Sequence, residues 1–571
     1  MTKTNFTVNR TFGLAVLIIL GLALFARTAN YKFVWDDEPL YLNGANYPAQ
    51  GRLDNLGKFW TPGKMPMFAP VTYTFWGVIA SVSADDNTNK FGISPTLFHI
   101  ANMFFHIVNS ILVFLILLYL FKNNFAALIA ASVFMLHPIQ VESVAWVSEL
   151  RGLLAAFFGL AAILFYIIGK KENGVSAKFV LRSIFVILLL VLSFLSKPTG
   201  IVFPIILLAI SYFFLKTNTK QLRIDALGLL LLTILLIFLS VSAESKAAQI
   251  VPISLFHRLL LPFDSFIFYL YKLVLPINLT AVYGRTPDLI IHTSQIYIFS
   301  GVFTAIALVL YFKREIFKQY ALGLLIAFIA ILPTSGLVSY YYQTFSNVAD
   351  RYFYIGMFGI AIVITLIFDR IKTQQRTLIA ASLAVLFFIL SFSQLSSWAN
   401  DYKHWDNVIK QSSIGVPQAY MGRGEENLLL GKYSKAIEDF TSAIALNPKE
   451  PLYYYNRANA YLDIKQYDLA IKDYSNAIAK NSKLLNAYVN RGLAYMEAVQ
   501  PLLAIPDFKQ ALVINPQQSD ILNNLGICFA MSGHYDSAEV YFHRVLEINP
   551  DDNEAIENLK LLQSEKNKKD N

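Results

Sequence analysis

The sequence is short of three things. It has a single cysteine, Cys528, in 571 residues, which excludes an intramolecular disulfide framework and any cysteine-rich metal site. Charged residues make up only 15% of it, against about 25% in an ordinary soluble domain, so long stretches of the chain are kept from water. Disorder is excluded with it, because 56% of the residues are hydrophobic and the mean hydropathy is +0.48. Acidic residues are the scarcer sign, 38 against 47 Lys and Arg, for a net charge of +9. In a membrane chain such an excess belongs to cytoplasmic loops that orient the helices, which argues against a nucleic-acid surface.

What is present falls into two parts. Before about Trp398 the apolar residues gather in runs of bilayer-spanning length, and beyond it the chain is polar with a different rhythm. The first run, 11–26, is followed by Arg27, Thr28 and Ala29, a poor cleavage site, and reads as a retained helix with Lys3 and Arg10 inside. Further runs lie at 96–121, 125–136, 153–168, 183–195, 201–215, 224–241, 294–312, 320–338, 352–368 and 378–398, about eleven in all. Basic clusters at Lys170/Lys171/Lys178/Arg182, Lys216/Lys220/Arg223, Lys313/Arg314/Lys318 and Arg370/Lys372/Arg376 share one side only if 256–279 does not cross. That segment carries Pro262, Asp264, Lys272 and Pro276 and reads as an interfacial or re-entrant helix. Eleven crossings put the C-terminal part outside the cytoplasm; a count of twelve would put it inside.

The polar part repeats every 34 residues. The step connects Pro448, Pro516 and Pro550, with Ser482 at the fourth position, and also Tyr433, Tyr467 and Tyr535. It connects Ala436, Ala470, Ala504 and Ala538, then Phe440, Tyr474, Phe508 and Phe542, then Gly424, Ala458, Gly492 and Gly526. Small residues where paired helices touch, aromatics between them and a closing proline resemble the tetratricopeptide repeat. Four repeats occupy 417–552, residues 399–416 read as a helical linker, and 553–571 as a charged capping tail. Pro501 stands where the third repeat would have tyrosine, so its inter-helix turn is expected to be irregular.

Chemistry-bearing residues gather on one side of the membrane part. The first loop opens with Trp35-Asp36-Asp37-Glu38; neighbouring carboxylates repel, raising one toward a usable general base, although three acids alone are also what a solvated loop carries. His99, Asn102, His106 and Asn109 share one helix face, where such groups must meet one another or a wet cavity or serve as interhelical glue. His137, Glu142, Glu149 and Arg151, then Lys197, then Asp350-Arg351-Tyr352 fall on the same side as Asp36 and Asp37. Transfer from a lipid-linked sugar phosphate needs this combination: a carboxylate to take a hydroxyl proton, and cations to hold the departing phosphate.

Taken in order, Val34-Trp35-Asp36-Asp37, His99 to Asn109, His137-Pro138 through Glu142 to Arg151, Lys197, Leu275 to Leu279 with Tyr283, Arg351 with Tyr354, and the C-terminal repeats resemble the transmembrane and tetratricopeptide-repeat-containing O-mannosyltransferases of the GT-C superfamily. The resemblance implies an all-α protein, a polytopic membrane domain over 1–398 followed by an α-solenoid. It implies inverting transfer of mannose from a polyprenyl-phosphate carrier to Ser or Thr of a protein acceptor held by the repeats. It puts catalysis on Asp36 and Asp37, with His99, His137, Glu142, Arg151, Lys197 and Arg351 around the donor. The family's frequent Lys-Glu pair reads Lys197-Pro198 here, which leaves the acidic partner open. The protein is expected to be multi-pass, in a bacterial inner membrane rather than the endoplasmic reticulum, with the repeats extracytoplasmic. Asp36 and Asp37 offer the oxygen ligands a hard divalent cation takes, without a further carboxylate cage. A polysaccharide polymerase or ligase, a membrane-anchored scaffold and a transporter are the alternatives; the first would carry a long late outer loop rich in Arg and His, and the second leaves so many polar groups among the spans unexplained.

Overall fold

The computed structural model describes every residue except 1–8, 36, 38–55, 66, 84–92, 170–176, 216–226, 239–252, 413 and 570–571. The chain is all helical and divides into two compact units, Met1–Ile414 and Gly415–Asn571.

In the first unit, α1 (Arg10–Phe25) starts where the Asn9 side chain accepts from the Phe12 amide, 2.7 Å. The helix α2 (Thr96–Phe121) has 26 residues, about 39 Å of rise, which exceeds the roughly 30 Å hydrocarbon core. Six described helices are long and apolar enough to cross a membrane: Arg10–Asn30, Thr96–Phe121, Val147–Gly169, Gln295–Phe312, Arg314–Thr334 and Gln375–Trp398. A bent pair, α3 (Asn124–Leu136) with Pro138–Ala145, broken by 52°, makes a seventh if counted as one. Each of the eleven apolar runs carries helix among its described residues. The helix α3 has 13 residues, about 20 Å.

Small residues let these helices approach. A Cβ on Gly359 would lie 2.3 Å from the Gly323 carbonyl oxygen and 2.6 Å from the Ala327 nitrogen, so Arg314–Ile331 and Gly356–Arg370 meet backbone to backbone. Gln295–Phe312, by contrast, leaves most of its apolar surface without protein cover, the condition of a lipid-facing helix. Within 256–279 the chain forms α6 (Leu255–Val274), whose Asp264 and Lys272 are buried and engaged internally. Asp264 is paired with Arg285 at 2.7 Å, and Lys272 donates to the Ile277 and Asn278 carbonyls at 2.8 and 3.1 Å.

The second unit is four helix pairs and a closing helix: Pro417–Leu429 with Tyr433–Leu446, Pro451–Asp463 with Tyr467–Lys480, Leu485–Glu497 with Pro501–Ile514, Ser519–Met531 with Tyr535–Ile548, then Asn553–Lys569. The small-against-aromatic periodicity is the packing itself. A Cβ on Gly424, Gly492 or Gly526 would come within 2.7, 2.8 or 2.6 Å of the Phe440, Phe508 or Phe542 ring, while Ala458 and Tyr474 share a buried cluster. The third turn is regular, contrary to expectation. Gly431, Lys465, Val499 and Gly533 all take positive φ, 68°, 60°, 58° and 77°. The next amide in each turn reaches back to Asn427, Tyr461, Tyr495 or Phe529 at 2.8–2.9 Å. Pro501 fits because it is the first residue of its helix, where no N–H is required. Each of the first three pairs is cross-linked by a bidentate ion pair, Arg423–Asp439, Arg457–Asp473 and Arg491–Asp507, with shortest contacts of 2.6 Å.

Candidate active site

The site grows from a break in a helix. After α3 the chain makes a 3-10 turn at Pro138–Gln140, the short helix α4 (Val141–Ala145) and a second 3-10 turn at Val147–Glu149 before α5 (Leu150–Gly169) begins. Pro138 cannot continue the ladder, and the carbonyls released at the break need donors inside an apolar unit. The polar stripe of α2 supplies them. Asn102 donates to the Val144 and Trp146 carbonyls at 3.2 and 2.7 Å, and Asn109 to the Leu153 carbonyl at 3.0 Å. The His106 ring spans the Met135 carbonyl (3.1 Å) and the Tyr354 hydroxyl (2.9 Å). The stripe is therefore interhelical glue with a purpose: it holds the broken segment open.

His99 and His137 part company. His137 Nδ1 accepts from the Ile139 amide at 3.2 Å and its Nε2 faces the Leu273 carbonyl at 3.1 Å, so both ring nitrogens serve the backbone. His99 Nε2 lies 3.4 Å from the Lys32 carbonyl, while its buried Nδ1 meets no hydrogen-bond partner among the described residues.

The remaining candidates converge on the break. Asp37 is buried and its carboxylate is anchored: Oδ1 accepts from the Ser148 amide (3.0 Å) and hydroxyl (2.6 Å), and Oδ2 from the Val34 amide (3.0 Å). Beside Ser148, the Glu149 carboxylate takes Lys197 Nζ on both oxygens, 2.9 and 2.8 Å. This is the acidic partner that Pro198 does not supply. The pair fits because position 152 is glycine; a Cβ there would lie 2.6 Å from Glu149 Oε2 and 3.5 Å from Lys197 Nζ. Arg151 turns back onto the Ser148 carbonyl at 2.9 Å.

Arg351 is the centre of the cluster. Its guanidinium pairs with Glu142, its Nε stands 3.9 Å from Glu149, and its backbone amide donates to Glu142 Oε2 at 3.1 Å. Aromatic faces enclose it: Tyr342 at 4.1 Å, Tyr352 at 4.7 Å, Trp146 at 5.0 Å and Trp35 at 5.6 Å from the ring centroids. The neighbouring Asp350 does not pair with it. Asp350 accepts the Tyr283 hydroxyl at 2.6 Å, and burial, with the Glu142 charge adding, pushes its carboxyl well above the ordinary range. Burial pulls the Lys197 ammonium down from its usual pKa, against the opposing pull of Glu149.

Trp35 closes the site in an unusual backbone state. Its φ is +61°, a left-handed conformation that costs a bulky residue on the order of 1–3 kcal/mol. Its amide donates to Asp401 Oδ1 at 2.6 Å, and its indole stacks on Trp146 at 4.8 Å with the planes 12° apart. Asp401 begins α7 (Asp401–Gln411), whose His404 stacks on the Trp35 indole at 5.4 Å and whose Trp405 meets it edge to face at 5.7 Å. Asp36 lies outside the described residues. No group of three or more His, Cys, Asp or Glu is placed to hold a metal ion among the described residues.

Known proteins resemble the chain both in its repeats and over much of its length. Tetratricopeptide-repeat family models match residues 424–465, 452–479 and 519–552. The Caenorhabditis elegans protein O-mannosyl-transferase F38B6.6 is 22% identical over 463 residues, 76% of this chain and 63% of that protein. The chain is similar in sequence to proteins named protein O-mannosyl-transferases. Drosophila melanogaster protein O-mannosyl-transferase Tmtc1 is 29% identical over 156 residues (27% of this chain, 18% of that protein), and human TMTC3 is 28% identical over 163 (28% and 17%). The chain thus spans less than two thirds of the length of each of these O-mannosyl-transferase relatives.

Ser148, Asp401 and His404 were not singled out by the sequence. Ser148 has no signature beyond lying next to Glu149, and α7 reads as a linker because a single amphipathic helix of 11 residues looks the same whether it tethers or buttresses.

Proposed function

We propose that the protein is a membrane glycosyltransferase that moves a mannosyl group from a polyprenyl-phosphate carrier to a Ser or Thr hydroxyl of a protein acceptor on the extracytoplasmic face. The observation that carries this reading is the meeting of the first loop with the helix break and two remote cations: Asp37 on Ser148, Lys197 on the adjacent Glu149, and Arg351 under Trp35. The O-mannosyl-transferase relatives supply the sugar and acceptor class. In the transfer, the acceptor oxygen attacks the anomeric carbon as its proton passes to a carboxylate. The bond from that carbon to the phosphate oxygen breaks on the opposite face, leaving its electron pair on the phosphate, so configuration inverts.

Asp37 spends its carboxylate on three described hydrogen bonds, which makes it an anchor, and the reading assigns the base to Asp36. Arg351, Lys197 and Arg151 take the phosphate end, held by Glu142, Glu149 and the Ser148 carbonyl, because charge developing on a departing phosphate is stabilised by cations already in place. The unpartnered Nδ1 of His99 orients the sugar or the acceptor, and His137 pins the break. The repeats present the polypeptide.

Purified full-length protein incubated in detergent with a panel of polyprenyl-phosphate sugars and a Ser/Thr peptide should add mannose to the peptide. Asp36→Asn should lower turnover by a factor of about 100 or more, the size of a general-base contribution. Absence of transfer from every donor, or wild-type turnover in the Asp36→Asn/Asp37→Asn double variant, would remove the reading. Removing residues 417–571 should spare a short peptide and reduce transfer to a full-length acceptor.

A further inference from the structure

The helix α7 lies at the end of the first unit, just before the repeats, and its contacts run backward to the first loop. Asp401 receives the Trp35 amide at 2.6 Å; Asn400 caps the helix by accepting from the Lys403 amide at 3.0 Å, which fixes where Asp401 stands. His404 and Trp405 are both buried and both lie against the Trp35 indole, and Trp398 packs on His404 at 4.6 Å and on Trp146 at 6.0 Å. Trp35 is thus enclosed between α7 on one side and the broken-helix residue Trp146 on the other.

This enclosure answers a physical need. A tryptophan does not hold φ near +60° unless its surroundings over-determine it, and an unsatisfied amide in this partly buried position would be costly. One carboxylate oxygen satisfies the amide, and the stacked rings remove the alternative side-chain positions. Two residues on, Asp37 is fixed to Ser148. The chain is therefore pinned on both sides of position 36.

We propose that α7 is a positioning element of the transfer site, in which Asp401 through the Trp35 amide, and His404 with Trp405 through its indole, hold the first loop in the register that catalysis uses. The proposal rests on the transferase reading, with Asp401 and His404 as positioning residues that touch neither donor nor acceptor. Alignment of a base within a few tenths of an ångström governs the chemical step far more than donor affinity, so the effect should fall on kcat.

The test uses the full chain in detergent with polyprenyl-phosphate mannose and a short peptide. Asp401→Ala should lower kcat at least tenfold while donor KM stays within twofold. Asp401→Asn, which keeps an acceptor oxygen, should retain at least half of the wild-type kcat. Lys410→Ala, on the exposed face of the same helix, should match wild type. Hydrogen exchange read by mass spectrometry should rise at residues 31–35 in Asp401→Ala and remain unchanged within α2 and α5. Should Asp401→Ala fail to fold, His404→Leu, which removes a stacked ring but keeps an apolar filler, is read by the same measurements. Wild-type kcat in the alanine variant, a rise in KM matching the loss, equal loss in Asp401→Asn, or unchanged exchange at 31–35 would each overturn the proposal. If the wild-type protein transfers no sugar, the transferase reading falls, while the exchange measurement still decides whether α7 holds the loop.

Discussion

Both units bury arginine against carboxylate, and they do so for different ends. In the repeats, each Arg–Asp pair joins helices 16 residues apart, keeps its guanidinium about a fifth exposed, and returns every 34 residues. In the membrane unit, Arg351 reaches Glu142 across 209 residues, is 4% exposed and has no periodic counterpart. In the repeat pairs the aspartate is buried but the guanidinium keeps contact with water, which lowers the desolvation cost of repeating the pair. A fully buried one suffers desolvation that a packed apolar cluster would avoid, so its presence calls for a reason beyond stability.

Breaking the two kinds of pair should separate them most sharply. Arg351→Ala leaves Glu142 buried and unpaired, with an expected loss on the order of 3–5 kcal/mol; Arg457→Ala also strands a buried carboxylate, Asp473, but one beside Asn476 and under a guanidinium site that water can reach, so it should cost less, on the order of 1–2 kcal/mol. Thermal unfolding of both variants in the same detergent checks this. Arg351→Lys should recover stability only in part, because an ammonium cannot reproduce the planar contacts. Equal losses at Arg351 and Arg457 would erase the distinction.

Crowding comes next. Gly152→Ala should push Glu149 off Lys197 at a cost of about 1–3 kcal/mol and lower transfer with it, whereas Gly492→Ala should strain only the Phe508 contact and leave transfer to a short peptide intact. The pH dependence is smaller. Burial, with the Arg351 charge adding, lowers the His404 pKa to about 3, below the unfolded value of about 6.5. Its contribution is fully present above pH 6.5 and is lost as pH falls toward 3, about 2 kcal/mol by pH 5. His404→Phe should flatten that part of the stability profile relative to wild type. The smallest effect belongs to the repeats: Val499→Gly relieves a β-branched residue at φ +58° and should raise their stability by about 1 kcal/mol.

The same contrast explains what the sequence disclosed. Every helix pair of the repeats is legible because Gly424, Phe440 and their counterparts recur at one spacing, and periodicity survives without coordinates. The turn before Pro501 was misjudged because a substitution was weighed as a local signal; the backbone keeps its left-handed step at Val499 and simply bears the strain. In the membrane unit, His99 to Asn109 announced a buried polar face, and Glu142, Arg151, Lys197 and Arg351 were recognisable as charges where charge is expensive. Their pairing was not. Lys197 with Glu149 joins residues 48 apart, and no rule of spacing selects Glu149 over Asp350. Span boundaries are harder to read for a related reason: hydropathy registers an apolar run, whereas Pro138 and its neighbours end α3 after 13 residues and bend the chain there.

The arginine ladder of the repeats also sets how the array can change length. Arg457 donates to Thr441 of the repeat before it at 3.0 Å, and Arg491 to Ser475 at 2.8 Å. A second copy of residues 451–484, spliced in after 484, would find Ser475 ahead of its own arginine and offer the same serine to Arg491. The ladder would pass through the graft unbroken. A copy of residues 519–552 would interrupt it, since Leu525 and Tyr541 stand where the arginine and aspartate would be and His543 where the hydroxyl would be. A repeat inserted there therefore keeps the ladder, whereas the fourth repeat, by its composition, does not carry it.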